Sequence, residues 1–348
     1  MDSSTASRTL VRPMLEEITE SSLAQRVAAL PKIHLHCHLE GTLRQSTFLE
    51  LTARAGLPAP PGDAYHFSGF GEFLLLFAAV SRCLAEPEDY ARLAEEFAED
   101  ALARGVAYGE LFISPSVWRF FHPALDLRAC IAAIHTVFAR IERTHGVAFR
   151  SIVDLTRNFG AQSAMATARL AVDAQELGVI GVGLGGDEAR FPAELFADAF
   201  AFARAEGLHA VAHAGEAAGA PSVRAAVEIL RAERIGHGIR ALEDPRVVAL
   251  LCEREIPLEV CPSSNVRTGI VGARSEHPLR GLLEAGVRVA IDDDDPAIFG
   301  AQIDDEYLWV AQELGERTLR ACIATAIEVS FAPRALKAAL MLRLHATE

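Results

Sequence analysis

The stretch Lys32-Ile33-His34-Leu35-His36-Cys37-His38 places three histidines at i, i+2 and i+4. In an extended chain that spacing turns all three imidazoles to one face, where two of them can offer nitrogens to one ion. A lone histidine is ordinarily a packed or hydrogen-bonded core residue; three sharing a face near the end of a strand point to a metal. Further donors follow other apolar runs. His213-Ala214-Gly215-Glu216 adds an imidazole with a carboxylate just beyond it. Gly236-His237-Gly238 offers a histidine between residues that have no side chains to block it. Asp292-Asp293-Asp294-Asp295-Pro296 directly follows the run VRVAI (287–291). Acidic runs are usually solvated, but after an apolar strand at least one carboxylate should point inward. Histidines with a carboxylate suit Zn2+, Fe2+ or Co2+ better than Mg2+ or Ca2+, which prefer oxygen cages. Such an ion brings the pKa of a coordinated water towards neutrality. The Glu, the remaining His and the spare Asp residues then supply a proton carrier, an orienting group and anchors, an inventory for metal-assisted hydrolysis.

Those residues need a frame that gathers strand ends. From Pro31 onward, short apolar or β-branched runs alternate with Ala/Leu/Glu/Arg-rich stretches of helical period. The strand candidates are 32–38, 106–113, 149–155, 179–185, 209–214, 234–238, 257–261 and 287–292; helices are expected at 192–207, 222–233 and 244–255. Eight strands alternating with helices predict a closed (β/α)8 TIM barrel, an α/β fold whose sites lie at the C-terminal ends of its strands. The insertion at about 42–104 is longer than a crossover needs, and its run FSGFGEFLLLF (67–77) falls where loops cover that end. Packing of an amphipathic helix accounts for most of this run, with one or two side chains left to form a substrate lid. The expected organisation is a lead-in at 1–30 and one barrel domain at 31–348. That domain carries helical insertions over the C-terminal face and a helical tail from about 303.

Composition narrows the partners. The chain has 348 residues, 51% of them hydrophobic, enough for a sizeable core. A net charge of −14 with only short basic clusters argues against nucleic acid, because phosphate binding relies on grouped cations. No apolar run reaches the ~20 residues a bilayer requires, so no membrane is expected. The first 25 residues lack a basic-then-apolar leader and read as a mobile lead-in to a short helix. Six scattered cysteines without a C-x-x-C pair fit free thiols in a reducing cytoplasm. No obligate protein partner is evident.

The motifs resemble those of the adenosine/adenine deaminase family, a branch of the amidohydrolase-type barrels. The likeness runs through PKIHLHCHLEGTL (31–43), YGELFISP (108–115), GLGGDE (183–188) and HAGE (213–216). It continues in RIGHG (234–238), LEVCPSSNVRTG (258–269), HPL (277–279) and DDP (294–296). Each fragment is weak alone; eight in family order are specific. The resemblance implies one Zn2+, with Fe2+ or Co2+ as alternatives, held by His36, His38, His213 and Asp294. It implies that Glu216 protonates purine N1, and that His237 holds and helps deprotonate the attacking water. Asp295 would meet N7, the backbone N–H of Gly186 would meet N3, and Glu40 would face the ribose or its replacement. His34 stands where the family often has Glu and is left to a supporting or packing role. Zinc deaminases built on P-C-x-x-C are a different class, and CPSSN has a single Cys.

The expected reaction is hydrolytic deamination of a 6-aminopurine nucleoside, foremost adenosine to inosine and ammonia. A modified adenine nucleoside such as aminodeoxyfutalosine, or free adenine, is the alternative; a non-purine amidohydrolase is the reading of another class. Segments point both ways: GLGGDE, RIGHG and CPSSNVRTG look adenosine-type, whereas HCHLEGTL, ELFISP and DDPAIFG look adenine-type. Phe112 replaces a common Arg, and Asp292-Asp293 replaces Asn-Thr or Asn-Ser, placing two extra carboxylates beside an expected ligand. Like charges so placed repel unless hydrogen-bonded or partly protonated.

Overall fold

The computed structural model describes residues 22–58 and 64–347; most of the expected lead-in lies outside them. Eight parallel strands form one sheet in the order β1-β2-β3-β4-β5-β6-β7-β8. They are β1 Lys32–His38, β2 Val106–Ile113, β3 Ala148–Asp154, β4 Val179–Gly183, β5 His209–Ala214, β6 Arg234–His237, β7 Leu258–Val260 and β8 Val289–Ile291. Every expected strand is present, and helices surround the sheet as in a (β/α)8 barrel. The last two are only three residues long, because the chain turns towards the barrel mouth immediately after Val260 and Ile291. The expected helix at 222–233 is split, an α-helical Ala220–Ala225 widening into a π turn over Ala226–Leu230. Helices Ile303–Leu314, Glu316–Val329 and Arg334–His345 make the C-terminal tail. No helix among the described residues is long and apolar enough to cross a membrane. All six cysteines are free thiols.

Between β1 and β2 the chain builds α1 Gln45–Arg54, α2 Gly69–Cys83 and α3 Pro87–Ala103. Glu86 and Asp89 cap α3 reciprocally, and Pro87 sits where a missing N–H costs nothing. After β2 comes the short α4 Pro115–Phe121, which packs against α2. These two helices stand over the C-terminal end of the barrel.

The ring closes between β8 and β1, and here side chains substitute for a ladder. Backbone pairing across this seam is limited to a bridge between Cys37 and Asp294, with Asp294 N–H donating to His36 and His38 N–H donating to Asp294. Just before it, Asp292 Oδ2 accepts the amides of Leu35 at 2.6 Å and His36 at 2.9 Å. Asp292 Oδ1 lies 3.0 Å from His34 Nδ1, and Asp293 Oδ1 lies 3.3 Å from the same nitrogen. Burial opposes charge on His34, but Asp293 and Asp292 together lift its pKa to about 10. An imidazolium therefore answers the two extra carboxylates. The histidine left out of the metal set and the unexplained acids belong to one buried ionic clasp. Removing one partner strands the others in the interior. Asp292→Ala should lower unfolding stability by about 3–5 kcal/mol. The check is a denaturant titration; a loss below ~1 kcal/mol would leave closure to the backbone bridge alone.

Candidate metal centre and active site

His36 and His38 project from β1, His213 from β5, and Asp294 from the turn after β8, and the structure brings all four together in the barrel mouth. All are buried, and one donor atom from each lies within 4.8 Å of the others. His38 Nε2 is 3.1 Å from His213 Nε2. Asp294 Oδ1 is 3.4 Å from His38 Nε2 and 3.6 Å from His36 Nε2. His36 Nε2 has no hydrogen-bond partner. Ligands about 2.0–2.2 Å from one ion, at angles of 90–120°, lie roughly 3.0–3.7 Å apart, so these separations fit a first-row cation. Protonation points the same way. Burial, with His36 adding to it, holds His38 well below the usual imidazole range, and His213 behaves alike. Burial also works against charge on His36, but Glu259 and Asp294 lift its pKa above the ordinary value. Carboxylates crowded around His36 thus call for positive charge where the free nitrogens converge.

Supports behind His36 and Asp294 fix their orientation, whereas His38 Nδ1 and His213 Nδ1 are buried without a hydrogen-bond partner. His36 Nδ1 lies 2.8 Å from Glu259 Oε2, and Glu259 Oε1 takes 2.5 Å from Arg234 Nε. Arg234 in turn pairs with Glu110 at 2.6 Å inside the barrel. Gly236 has no Cβ because one would sit 2.5 Å from His36 Cε1. Ser264 Oγ donates to Asp294 Oδ2 at 2.6 Å. Phe112, in place of the common Arg, stacks on His38 at 4.9 Å and borders His36 and His213. An apolar ring thus floors the imidazoles.

Glu216 and His237 face this cluster, 3.7 Å apart. The loop carrying Glu216 hangs on Glu188, whose carboxylate accepts the amides of Gly215, Glu216 and Ala218. Burial pushes the Glu216 carboxyl well above the usual range, with Asp294 and Glu188 adding to the effect. It can therefore carry a proton at neutral pH. The His237 tautomer follows from a chain that starts on the backbone. Leu279 N–H donates to His277 Nδ1, and burial keeps His277 neutral with a pKa of about 4. Its proton is then on Nε2, 3.1 Å from Asn265 Oδ1. That turns the Asn265 amide nitrogen to His237 Nδ1 at 3.2 Å, and burial holds His237 neutral as well. The His237 proton is thereby left on Nε2, directed into the site. Its backbone, like that of Asp294, sits at positive φ, 60° and 64°, in a region non-glycine residues seldom adopt.

A cavity of about 290 Å³ opens from this centre. Asp295 and Gly186 are on its wall. Asp295 Oδ1 is buried without a partner, and Gly41 must lack a Cβ because one would lie 1.9 Å from that oxygen. Glu40 is placed differently. It is fully buried behind the wall, its Oε1 accepting Ser114 N–H at 2.8 Å and Trp118 Nε1–H at 2.7 Å, and Ser114 reaches the cavity instead. Asp154, not anticipated from the sequence, lines the cavity with Oδ1 unpartnered; burial, with Glu40 adding to it, pushes its pKa up to about 7. The available signal was its position, an acid ending the third strand. Helix α2 also contributes more than the one or two lid residues expected: Phe70, Phe73, Leu74, Leu75 and Phe77 all line the space.

Comparison with known proteins agrees with this geometry. A family model described as adenosine deaminase matches residues 31–347. An aminodeoxyfutalosine deaminase of Streptomyces avermitilis is 37% identical over 92% of this chain and 92% of its own. An adenine deaminase of Rhodospirillum rubrum is also 37% identical, over 91% of this chain and 97% of its own. Among solved structures, an amidohydrolase from Burkholderia ambifaria with bound zinc superposes with a TM-score of 0.86. It is 27% identical, and the match covers 93% of each chain.

Glu259 is the support most directly tied to a donor. Glu259→Gln should weaken metal retention roughly 10- to 100-fold, since a carboxylate behind a ligating histidine fixes its tautomer and basicity. Metal content after dialysis against graded chelator reads this; wild-type retention would remove Glu259 from that role.

Proposed function

Because the chain belongs to the adenosine deaminase family, we propose that it is a metal-dependent hydrolase that replaces the 6-amino group of an adenine nucleoside with oxygen. Adenosine to inosine and ammonia is the simplest case. The observation that carries this reading is the convergence of three imidazole nitrogens and Asp294 on one point beside Glu216 and His237. Zinc is the proposed ion, supported by the donor set and by the zinc-bound relative. When bound, the ion lowers the pKa of a coordinated water and so provides hydroxide at neutral pH.

The chain's own groups account for the remaining steps. An aromatic amine resists direct displacement, so the oxygen must first add to C6. Glu216, kept protonated by burial, gives its proton to ring N1 as addition proceeds, which drains charge from the ring. His237 donates Nε2–H to the incoming oxygen and fixes its approach. With that nitrogen already protonated, taking up the water's proton falls to Glu216, a narrower role for His237 than sharing in the deprotonation. Glu216 then passes that proton to the departing nitrogen and takes up the C6–O–H proton in turn, so ammonia leaves as the C6 carbonyl forms and the carboxyl returns to its protonated state. Burial, with Asp294 adding to it, pushes the Asp295 carboxyl well above the usual range, so its O–H is assigned to donate to N7, and the Gly186 backbone N–H to N3. Glu40 serves by positioning Ser114 and Trp118 rather than by meeting a sugar hydroxyl.

Glu216→Gln should keep the metal while kcat on adenosine falls about 10²- to 10⁴-fold. Parallel metal analysis and steady-state kinetics check this; near-normal kcat would remove Glu216 from proton transfer. Metal-loaded enzyme that leaves adenosine, adenine and extended adenine nucleosides all intact would overturn the proposed function.

A further inference from the structure

The cavity has two chemically distinct ends. Its inner end carries Asp154, Glu216, Asp294 and Asp295 beside the imidazoles, and no Lys or Arg is among the described lining residues. Its outer end is apolar on two sides. From His38, Phe77 lies at 5.9 Å, Phe73 at a further 6.4 Å and Phe70 at 6.2 Å beyond that, an aromatic file along α2. Across the mouth, Phe120 of α4 lies 5.4 Å from Phe159. Leu75 and Phe120 are 72% and 63% exposed, large apolar side chains left to water at the entrance of a deep site. A bare adenine leaves this end unused, since a space near 300 Å³ is at the lower limit for drug-sized ligands.

The orientation of the ring decides what reaches it. With C6 at the metal centre and N3 at Gly186, N9 lies on the Gly186 side of the ring. A Cβ at Gly186 would touch Asn158, and Phe159 follows directly in the chain. A substituent on N9 therefore leaves the polar end along Phe159 and Phe120, facing α2. There it would meet mostly hydrocarbon, with carboxylates behind it and no Lys or Arg among the described residues lining the cavity. A phosphate or carboxylate at that position would lose water without gaining a partner.

Building on the proposed deaminase reading, we propose that this enzyme selects adenine nucleosides bearing an uncharged apolar or aromatic group at the sugar end, such as a 5′-thioether. It disfavours 5′-phosphates and carboxylated analogues. Buried apolar groups in a preformed pocket discriminate by roughly 10- to 200-fold in kcat/KM. The test compares adenine, adenosine, 5′-methylthioadenosine, 5′-benzylthio-5′-deoxyadenosine, its para-carboxylate and AMP on metal-loaded enzyme. The benzylthio compound should exceed adenosine about 10-fold or more in kcat/KM, mainly through KM, with the carboxylate and AMP below adenosine. Leu75→Ser and Phe120→Ser should each pull the benzylthio-to-adenosine ratio down towards unity. Adenosine or adenine turned over as well as the benzylthio compound would overturn this proposal and leave the deaminase reading standing. So would equal use of the para-carboxylate, or a ratio unmoved by both variants. Absence of turnover on every purine would instead bring down both.

Discussion

The carboxylate of Asp292 at the β8–β1 seam is the contact on which the rest of the site depends. Closing eight strands requires the last to meet the first, and this seam carries three of the four converging donors, His36, His38 and Asp294. Here the backbone supplies little more than a bridge. Asp292 fills the gap by accepting two adjacent β1 amides with one oxygen and pairing with His34 through the other. The amide of His36 is one of those two, so the carboxylate that closes the barrel also positions one of the four converging donors. A neutral side chain could not balance the His34 imidazolium, and a longer one would push β8 away from β1.

From that seam a second ionic chain crosses the barrel interior: His36 to Glu259, Glu259 to Arg234, Arg234 to Glu110. Buried ion pairs add little net stability, because desolvation offsets much of their attraction. Their worth here is geometric. Each partner has one place where its charge is answered, so the Nε2 of His36 is held where the other lone pairs converge. The hydrogen-bond chain from Leu279 N–H through His277 and Asn265 does the same for His237, with a backbone amide as its fixed end.

Much of this was legible in the sequence. Apolar or β-branched runs alternating with helical stretches located all eight strands, since parallel strands buried on both faces are largely apolar. His36, His38, His213, Asp294, Glu216 and His237 stood out because such residues rarely follow apolar strands without a task. What escaped depends on neighbours distant in sequence. The acids at 292 and 293 looked like unrelieved repulsion until β8 was placed beside His34, some 258 residues earlier. Glu40, expected at the ribose, meets Trp118 Nε1 of α4 through Oε1, while its Oε2 has no hydrogen-bond partner. The positive φ of His237 and Asp294 is only weakly signalled by residue type, since His and Asp adopt it more often than most but seldom do so, and the direction of a histidine proton depends on a network no linear motif records. The aromatic run of α2 was read as core because periodicity reports burial without saying whether protein or ligand does the covering.

This division also separates the residues tied into barrel closure from those that are not. The reacting atoms are served by residues on the strand ends and the short turns behind them, all tied into the seam and the ionic chain. The outer wall comes from α2 and α4, which barrel closure does not need. Side chains such as Leu75 and Phe120 contact water at the mouth, so replacing them disturbs neither the seam nor the donor set. Two relatives named for different purines are each 37% identical to this chain, so overall identity says little about the substrate. Identity averages over the whole barrel, whereas the proposed selection of the purine rests on a few residues of two helices above it.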